Sequence, residues 1–359
     1  MSCALESLPN ELLDQIISYL TTEPPSLARL HQAPKYQITQ SHTKSLKQLA
    51  QVSSRLLNLV RPWLFVHACL DLMDEPAFEA FFIGSNLGQY VTSLVAITEN
   101  ASADPFDQRW WRRVLRYLDP ARVTILAPPT FIGNILDTRI MDGHGWAFDI
   151  HLQILQLERN VPFRDLSLLP DLEHCDSLLL ARPWTSMSFN ESSSLKAYNH
   201  YEYFLSRVPS VVGEWGSQLK PQEFPPPRLA AMLCGLTAFS YTAVFPFYNH
   251  VKLVLDALSL MHDLRLLSVQ LAPEADNHVL EIEQRGSLDP NDPWSELSTS
   301  YSLIAFEIRN KPSLVEFRSR DFALESIREE LASELNGDLG HTSWVHDGHG
   351  IWRRPEAQI

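Results

Sequence analysis

Apolar and polar positions in the first 65 residues repeat with the spacing of helices. In LESLPNELLDQIISYL, residues 5–20, the apolar residues Leu8, Leu12, Leu13, Ile16, Ile17 and Leu20 recur every three to five positions and line one helical face. Pro9 suits a first helical turn, and Glu11 puts negative charge near the positive helix end. A second amphipathic stretch, SLKQLAQVSSRLLNLVRPWLF at 45–65, carries Leu46, Leu49, Val52 or Ser53, Leu56, Leu57 and Val60 on its apolar face, and Pro62 ends it. Residues 23–44 between them keep no period. Pro24-Pro25, Pro34 and scattered polar residues predict an exposed, mobile insertion that tolerates shortening.

Beyond residue 70 the pattern becomes short apolar strands alternating with helical stretches. HLQILQLERN fits the template L-x-x-L-x-L-x-x-N through Leu152, Leu155, Leu157 and Asn160. Weaker matches are Val91/Leu94/Ala96, Cys175/Leu178/Leu180, Leu236/Phe239/Tyr241 and Leu264/Leu267/Val269. VTIL at 123–126, LVEF at 314–317 and a strand over Leu195 to Tyr198 complete the series. Helices at 108–118 and 249–261 each precede a strand. Strand and helix alternating with one hand of connection predict an α/β fold, an irregular leucine-rich-repeat-like solenoid. A doubly wound sheet is the alternative, although no glycine-rich phosphate loop follows any strand.

The long connections 137–151, 181–194, 211–227 and 273–294 are rich in Pro, Gly, Asn and aromatics, with Trp146, Trp184, Trp215 and Trp294 in or beside them. Loops on a rigid scaffold are where binding usually sits. Alternating residues of a strand share a face, so Tyr198 with His200, and Phe239 with Tyr241, form candidate aromatic pairs. Together with Trp294 and the acidic 273–294 loop, Phe239 and Tyr241 define an expected target-binding patch suited to apolar anchors and a basic rim. The competing expectation makes those rings the layer between sheet and helices.

Charge and composition narrow the partners. The 359 residues hold 29 Lys+Arg against 43 Asp+Glu, a formal charge of −14, which argues against nucleic acid or an anionic membrane as the main partner. Arg112, Arg113 and Arg116 share a helix with Trp110, Val114, Leu115 and Leu118 and are expected on its solvated face. Residues 229–248 carry no formal charge but contain Gly235, Pro246 and several hydroxyls, so a buried helix running into a buried strand is expected there, not a membrane span. Cys3, Cys69, Cys175 and Cys234 lie far apart, and Met1 to Ser7 is too short for a secretory signal. Reduced thiols in the cytoplasm or nucleus are expected, which leaves the sequons at Asn100 and Asn190 without consequence.

Candidate chemistry is sparse. His341, His346, Asp347 and His349 cluster near the end, but their spacing matches no metal signature, and Gly348 and Gly350 predict a turn between two Trp-bearing strands. No nucleophile elbow, Walker loop or Cys-His pairing is found in the sequence. Neither a catalytic centre, a cofactor nor a metal is expected.

LPNELLDQIISYL followed by LKQLAQVSSRLLNLVRPWLF resembles the F-box, the short helical motif of ubiquitin-ligase substrate receptors, over about the first 65 residues. The matching positions are Leu8-Pro9, Glu11, Leu12 to Leu20, Leu46/Leu49/Val52 and Arg55, and the tail SWVHDGHGIWRRP resembles a hairpin ending many fungal proteins of this class. The departure is the 23–44 insertion, since the two halves are normally only a few residues apart. The resemblance implies an F-box over 1–70 that docks a Skp-type linker, and through it a cullin ligase, by Leu8, Pro9, Glu11, Leu12, Ile16, Leu20, Leu46, Leu49 and Val52. The body, 71–359, would hold a protein target for ubiquitin transfer by other subunits. A scaffold acting outside any ligase, or an enzyme within the body, are the competing expectations.

Overall fold

The computed structural model describes residues 4–21, 23–35, 38, 43–99, 109–140, 152–160, 171–204, 210–219, 227–274 and 291–355. The chain is α/β. Its helices are α1 (Asn10–Ser18), α2 (Pro25–Arg29), α3 (Lys44–Ala50), α4 (Ser54–Leu64), α5 (Glu75–Ser85), α6 (Trp110–Tyr117), α7 (Pro129–Ile135), α8 (Tyr201–Phe204), α9 (Val211–Ser217), α10 (Pro227–Leu233), α11 (Tyr248–Leu258), α12 (Asn291–Asn310) and α13 (Arg328–Leu339). The strands are β1 (His67–Asp71), β2 (Ser93–Ile97), β3 (Arg122–Ala127), β4 (Gln153–Glu158), β5 (Ser186–Ser193), β6 (Ala238–Val244), β7 (Leu266–Gln270), β8 (Glu316–Ser319), β9 (Val345–His346) and β10 (Ile351–Arg353).

The ten strands form one sheet in chain order, except that β10 lies between β8 and β9. Strands β1 to β3 run parallel, as do β5 to β8, each step crossing through helices. β4 is antiparallel to both its neighbours. It is also the strand with the clearest leucine-rich template, so an uninterrupted parallel arc is not what the chain builds. The match reported strand and burial there, while direction depends on the connection through α7 and the residues after it.

Alternation assigns the two faces of the sheet. Leu94 and Ala96, Val123 and Ile125, Leu155 and Leu157, Met187 and Phe189, Phe239 and Tyr241, Leu267 and Val269, and Phe317 all join the main core under the helices. α11 supplies Val251, Val254, Leu255 and Leu258 to that core, and α6 supplies Trp110, Trp111, Val114 and Leu115. α9 approaches α11 so closely that a Cβ on Gly216 would meet the Leu253 carbonyl oxygen at 1.9 Å, which only glycine permits.

Several expectations are corrected. Leu178 and Leu180 belong to a short 3-10 turn, Cys175 is the extended residue that follows another, and Leu195–His200 is likewise a 3-10 turn. The strand of this region is β5, within the stretch read as a loop. Its serines disguise an alternation in which Met187 and Phe189 face the helices. Arg113 and Arg116 are partly exposed on the solvated side of α6, but Arg112 is mostly buried and all three arginines are paired. Arg113 makes two 2.9 Å bonds to the Glu75 carboxylate, Arg112 donates to the Cys175 carbonyl, and Arg116 pairs with Glu173. The 229–248 stretch is α10 leading into β6, and no helix among the described residues is long and apolar enough to cross a membrane. Trp184 and Trp215 are buried, while Trp146 lies outside the described residues.

The 23–44 expectation is overturned where it can be seen. Ser26, Leu30, Pro34 and Ile38 are buried. Leu30 and Ile38 pack on Val95, Leu126 and Ile154, the side chains of β2, β3 and β4 that point away from the helices. The Asn190 amide of β5 donates to the Leu30 and Gln32 carbonyls, both at 2.8 Å, and His31 Nδ1 lies 2.8 Å from Thr242 Oγ1 of β6. The segment therefore covers the second face of five consecutive strands. Apolar side chains on that face supply the driving force, which the segment's own mixed composition does not reveal.

Candidate partner-docking surface

α1 and α4 are built to show apolar side chains on two sides. Leu13 and Ile17 of α1 are each only 1 % exposed, and Ile17 packs with Leu46 and Val60, flanked by Leu20, Leu49, Leu59 and Trp63. One residue earlier in each turn, Leu12 is 47 % and Ile16 39 % exposed, and Tyr19, three residues on from Ile16, is 78 % exposed. These three lie along one strip of the helix, because positions three and four apart are neighbours on its surface. Val52, between α3 and α4, is 59 % exposed, and Leu57 on α4 is 42 % exposed.

Polar contacts fix α1 against α4. The Arg55 guanidinium donates through Nη2 to the Leu8 carbonyl at 2.7 Å and to Asn10 Oδ1 at 2.6 Å. At the other end Trp63 Nε1 donates to Asp14 Oδ1 at 3.0 Å. Ser53 caps α4 by accepting from the Leu56 N–H at 3.3 Å. The exposed side chains are thus carried on a braced scaffold. Full burial of such a side chain contributes roughly 1.5–3 kcal/mol, so several together suit a partner.

The expected linker-binding residues divide accordingly. Leu12, Ile16 and Val52 are exposed, as are Pro9 and Glu11, and Leu8, Leu20 and Leu49 are half-buried. Leu46 is a core residue, closed off by Ile17 and Val60, and is corrected from the docking set. Tyr19 and Leu57 belong to the exposed group as well. The signal for Tyr19 was its position seven residues after Leu12, one further pair of turns along the same strip.

The expected aromatic target patch is absent. Phe239 and Tyr241 are enclosed beneath the helices, their rings stacked with centroids 6.4 Å apart. The Tyr241 hydroxyl donates to the buried Glu191 carboxylate at 2.6 Å, and burial and that charge push the phenol well above its ordinary pKa. Their alternation matched the core face of the sheet, not its outer one. Trp294 is half-buried at the start of α12, edge-on to Phe245 at 4.9 Å. Most of the 273–294 loop, residues 275–290, lies outside the described residues. Tyr198 is buried, its hydroxyl donating to the Phe245 carbonyl at 3.2 Å, and does not pair with His200 on a strand.

The histidine-rich tail is engaged in its own hairpin. His346 stacks on Trp352 at 4.1 Å and its Nε2 accepts from the Gly350 N–H, while Asp347 accepts from the His349 and Ile351 N–H groups. Among the described residues no three His, Cys, Asp or Glu side chains are grouped as metal ligands.

The polar face of the sheet beyond the 24–38 segment is the other surface of interest. Ser188, Ser240, Ser268 and Arg318 are register partners across β5 to β8 and share that face. Toward the other side Thr124 donates to Gln156 at 2.8 Å, and Arg122 pairs with Glu158 at 3.1 Å. Comparison of the chain with family models, with curated proteins and with solved structures finds no match.

Proposed function

We propose that the chain is the substrate-recognition subunit of an SCF-type cullin ubiquitin ligase, with its N-terminal helices docking a Skp-type linker and its body holding a protein target. The observation that carries this reading is the outward strip Leu12, Ile16 and Tyr19, joined by Val52 and Leu57, on helices whose opposite sides are closed. It falls on the residues through which the chain resembles the F-box. The succession of strands in chain order supports a leucine-rich-like body, with β4 as an inverted member. In this reading the protein makes and breaks no bond. It raises the effective concentration of target lysines near a charged conjugating enzyme.

Co-expression of the full chain with a Skp-type linker tests the docking. The expected result is a complex that survives purification and is lost in Leu12→Arg/Ile16→Arg. A variant that copurifies as well as the original chain would overturn the reading. Reconstitution with the cullin then distinguishes a ligase subunit, which supports ubiquitin chains on a captured target, from a scaffold, which does not.

A further inference from the structure

Three arginines converge on a cleft at the far end of the polar sheet face, in a chain whose net charge is −14. The cleft has a volume of about 440 Å³ and lies between the segment leaving β8 and the turn joining β9 to β10. Arg318, Arg320, Arg328 and His349 line it, with Phe322 and Ile351 as apolar walls. The turn can lie this close only because of Gly350. Its φ is +83°, and a Cβ there would meet Phe322 Cβ at 2.5 Å and the Ser319 carbonyl oxygen at 2.8 Å.

Among the described residues, the carboxylates beside this charge are Glu316, Asp321 and Glu274. Glu316 is shared between Arg318 and Arg353. The Asp321 carboxylate is buried and spent on the Leu271 and Ala272 N–H groups and the Tyr301 hydroxyl, at 2.6 to 3.1 Å. Arg328 donates Nε to the Phe322 carbonyl at 3.0 Å and lies over the Phe322 ring, which fixes its direction. Arg320 makes no hydrogen bond among the described residues, although Glu274 contributes a compensating field. The Arg320 guanidinium therefore reaches the cleft with no hydrogen bond to another described residue.

From this geometry we infer that the cleft binds a phosphate monoester, with Arg318, Arg320 and Arg328 holding its oxygens and the Phe322 and Ile351 walls receiving the group that carries it. Planar guanidinium forks donate to phosphate oxygens in pairs, and several arriving from different elements match a tetrahedral group better than a planar carboxylate. The cleft is larger than one phosphate needs, and the surplus is where apolar walls stand. Because Arg318 is the register partner of Ser268, a long ligand would extend along the serine row. This inference is independent of the linker-docking reading.

The test uses the full chain and three probes at matched ionic strength: phenyl phosphate, inorganic phosphate and chloride. Calorimetry and phosphorus NMR titration are expected to show saturable binding of phenyl phosphate. Replacing Arg320 by Gln removes at least one charge-assisted hydrogen bond and is expected to weaken binding about tenfold or more, with Arg320→Lys falling between. Tighter binding of phenyl phosphate than of inorganic phosphate identifies an esterified ligand, and equal binding identifies free phosphate as the occupant. Thermal protection by chloride equal to that by phenyl phosphate, or undiminished affinity in Arg318→Gln/Arg320→Gln, would overturn the proposal. Should the double variant not fold, Arg320→Lys decides, since it keeps the charge and loses the fork. Unchanged affinity there overturns the proposal too.

Discussion

Two stretches of the first 65 residues behave in opposite ways. α1 is the more apolar, yet Leu12, Ile16 and Tyr19 on one of its sides stand in solvent. The 24–38 segment is punctuated by prolines and polar residues, yet it buries Ser26, Leu30, Pro34 and Ile38 against the sheet. The difference teaches that hydrophobic content does not by itself report burial. What decides is whether a matching surface lies within reach. Val95, Leu126 and Ile154 offer one to the segment, and among the described residues nothing covers the outer strip of α1.

The sharpest way to break this contrast is to remove the segment. Replacing residues 24–38 by a short Gly/Ser linker should expose Val95, Leu126 and Ile154 together, with a loss on the order of 4 kcal/mol or more by analogy with large-to-small core changes. Thermal unfolding should fall by roughly 5 °C or more for a chain of this size. A deletion that unfolds within a degree or two of the original would mean that the contacts carry little energy. Next in size are substitutions on α1. Leu13→Ala or Ile17→Ala should cost about 2–5 kcal/mol, whereas Leu12→Ala and Ile16→Ala should stay within about 0.5 kcal/mol. Denaturant titration distinguishes the pairs, and equal losses would show that both sides of α1 are packed.

Asn190→Ala should cost about 1–3 kcal/mol, because it strands the Leu30 and Gln32 carbonyls that its amide satisfies. Protease susceptibility within the segment should rise with it.

The smallest effect is a pH dependence. Burial, assisted by the Arg320 charge, lowers the His31 pKa to about 3 from its usual 6.5. Between those values the unfolded chain binds a proton that the folded chain resists, so stability falls as pH drops below 6.5. From pH 7 to pH 5.5 the His31 contribution is on the order of 1 kcal/mol. Asp321 works in the opposite sense, since burial raises its carboxyl to about 6 from 3.8 and the folded chain holds the proton more tightly. Its stabilising protonation is gained on acidification between those values. His31→Gln should therefore remove the acid-sensitive component and leave the Asp321 trend. Identical pH profiles for the variant and the original would place the imidazole in water.

Much of the architecture is legible in the residues. α1, α6 and α11 follow their 3.6-residue apolar spacing, the 45–65 stretch is helical but divides into α3 and α4 with Pro62 inside α4, and β3, β4 and β7 are apolar runs closed by turns. What is not legible has physical causes. Serine at alternate positions conceals β5, because its inward Met187 and Phe189 are too few to stand out. The reversal of β4 leaves no local mark, since parallel and antiparallel strands carry the same buried alternation. Phe239 and Tyr241 show the right period but not which side of the sheet they face. The docking of the 24–38 segment rests on three or four anchors whose partners are distant in sequence. The arginine cleft was invisible for the same reason, as its residues come together only when β8 meets the returning hairpin.

Distance along the chain has a kinetic consequence for that segment. Its bonds to Asn190 and Thr242 span 160 and 211 residues. A chain emerging from the ribosome can complete the α1–α4 unit as soon as residue 64 is out, but it cannot seat the segment until β6 has been made. Closing so large a loop is a late event, and until then Val95, Leu126 and Ile154 remain open to water and to other chains. The nascent protein thus carries a sticky half-sheet from the completion of β4 at residue 158 until β6 ends at residue 244, and chaperone capture during translation should concentrate in that interval.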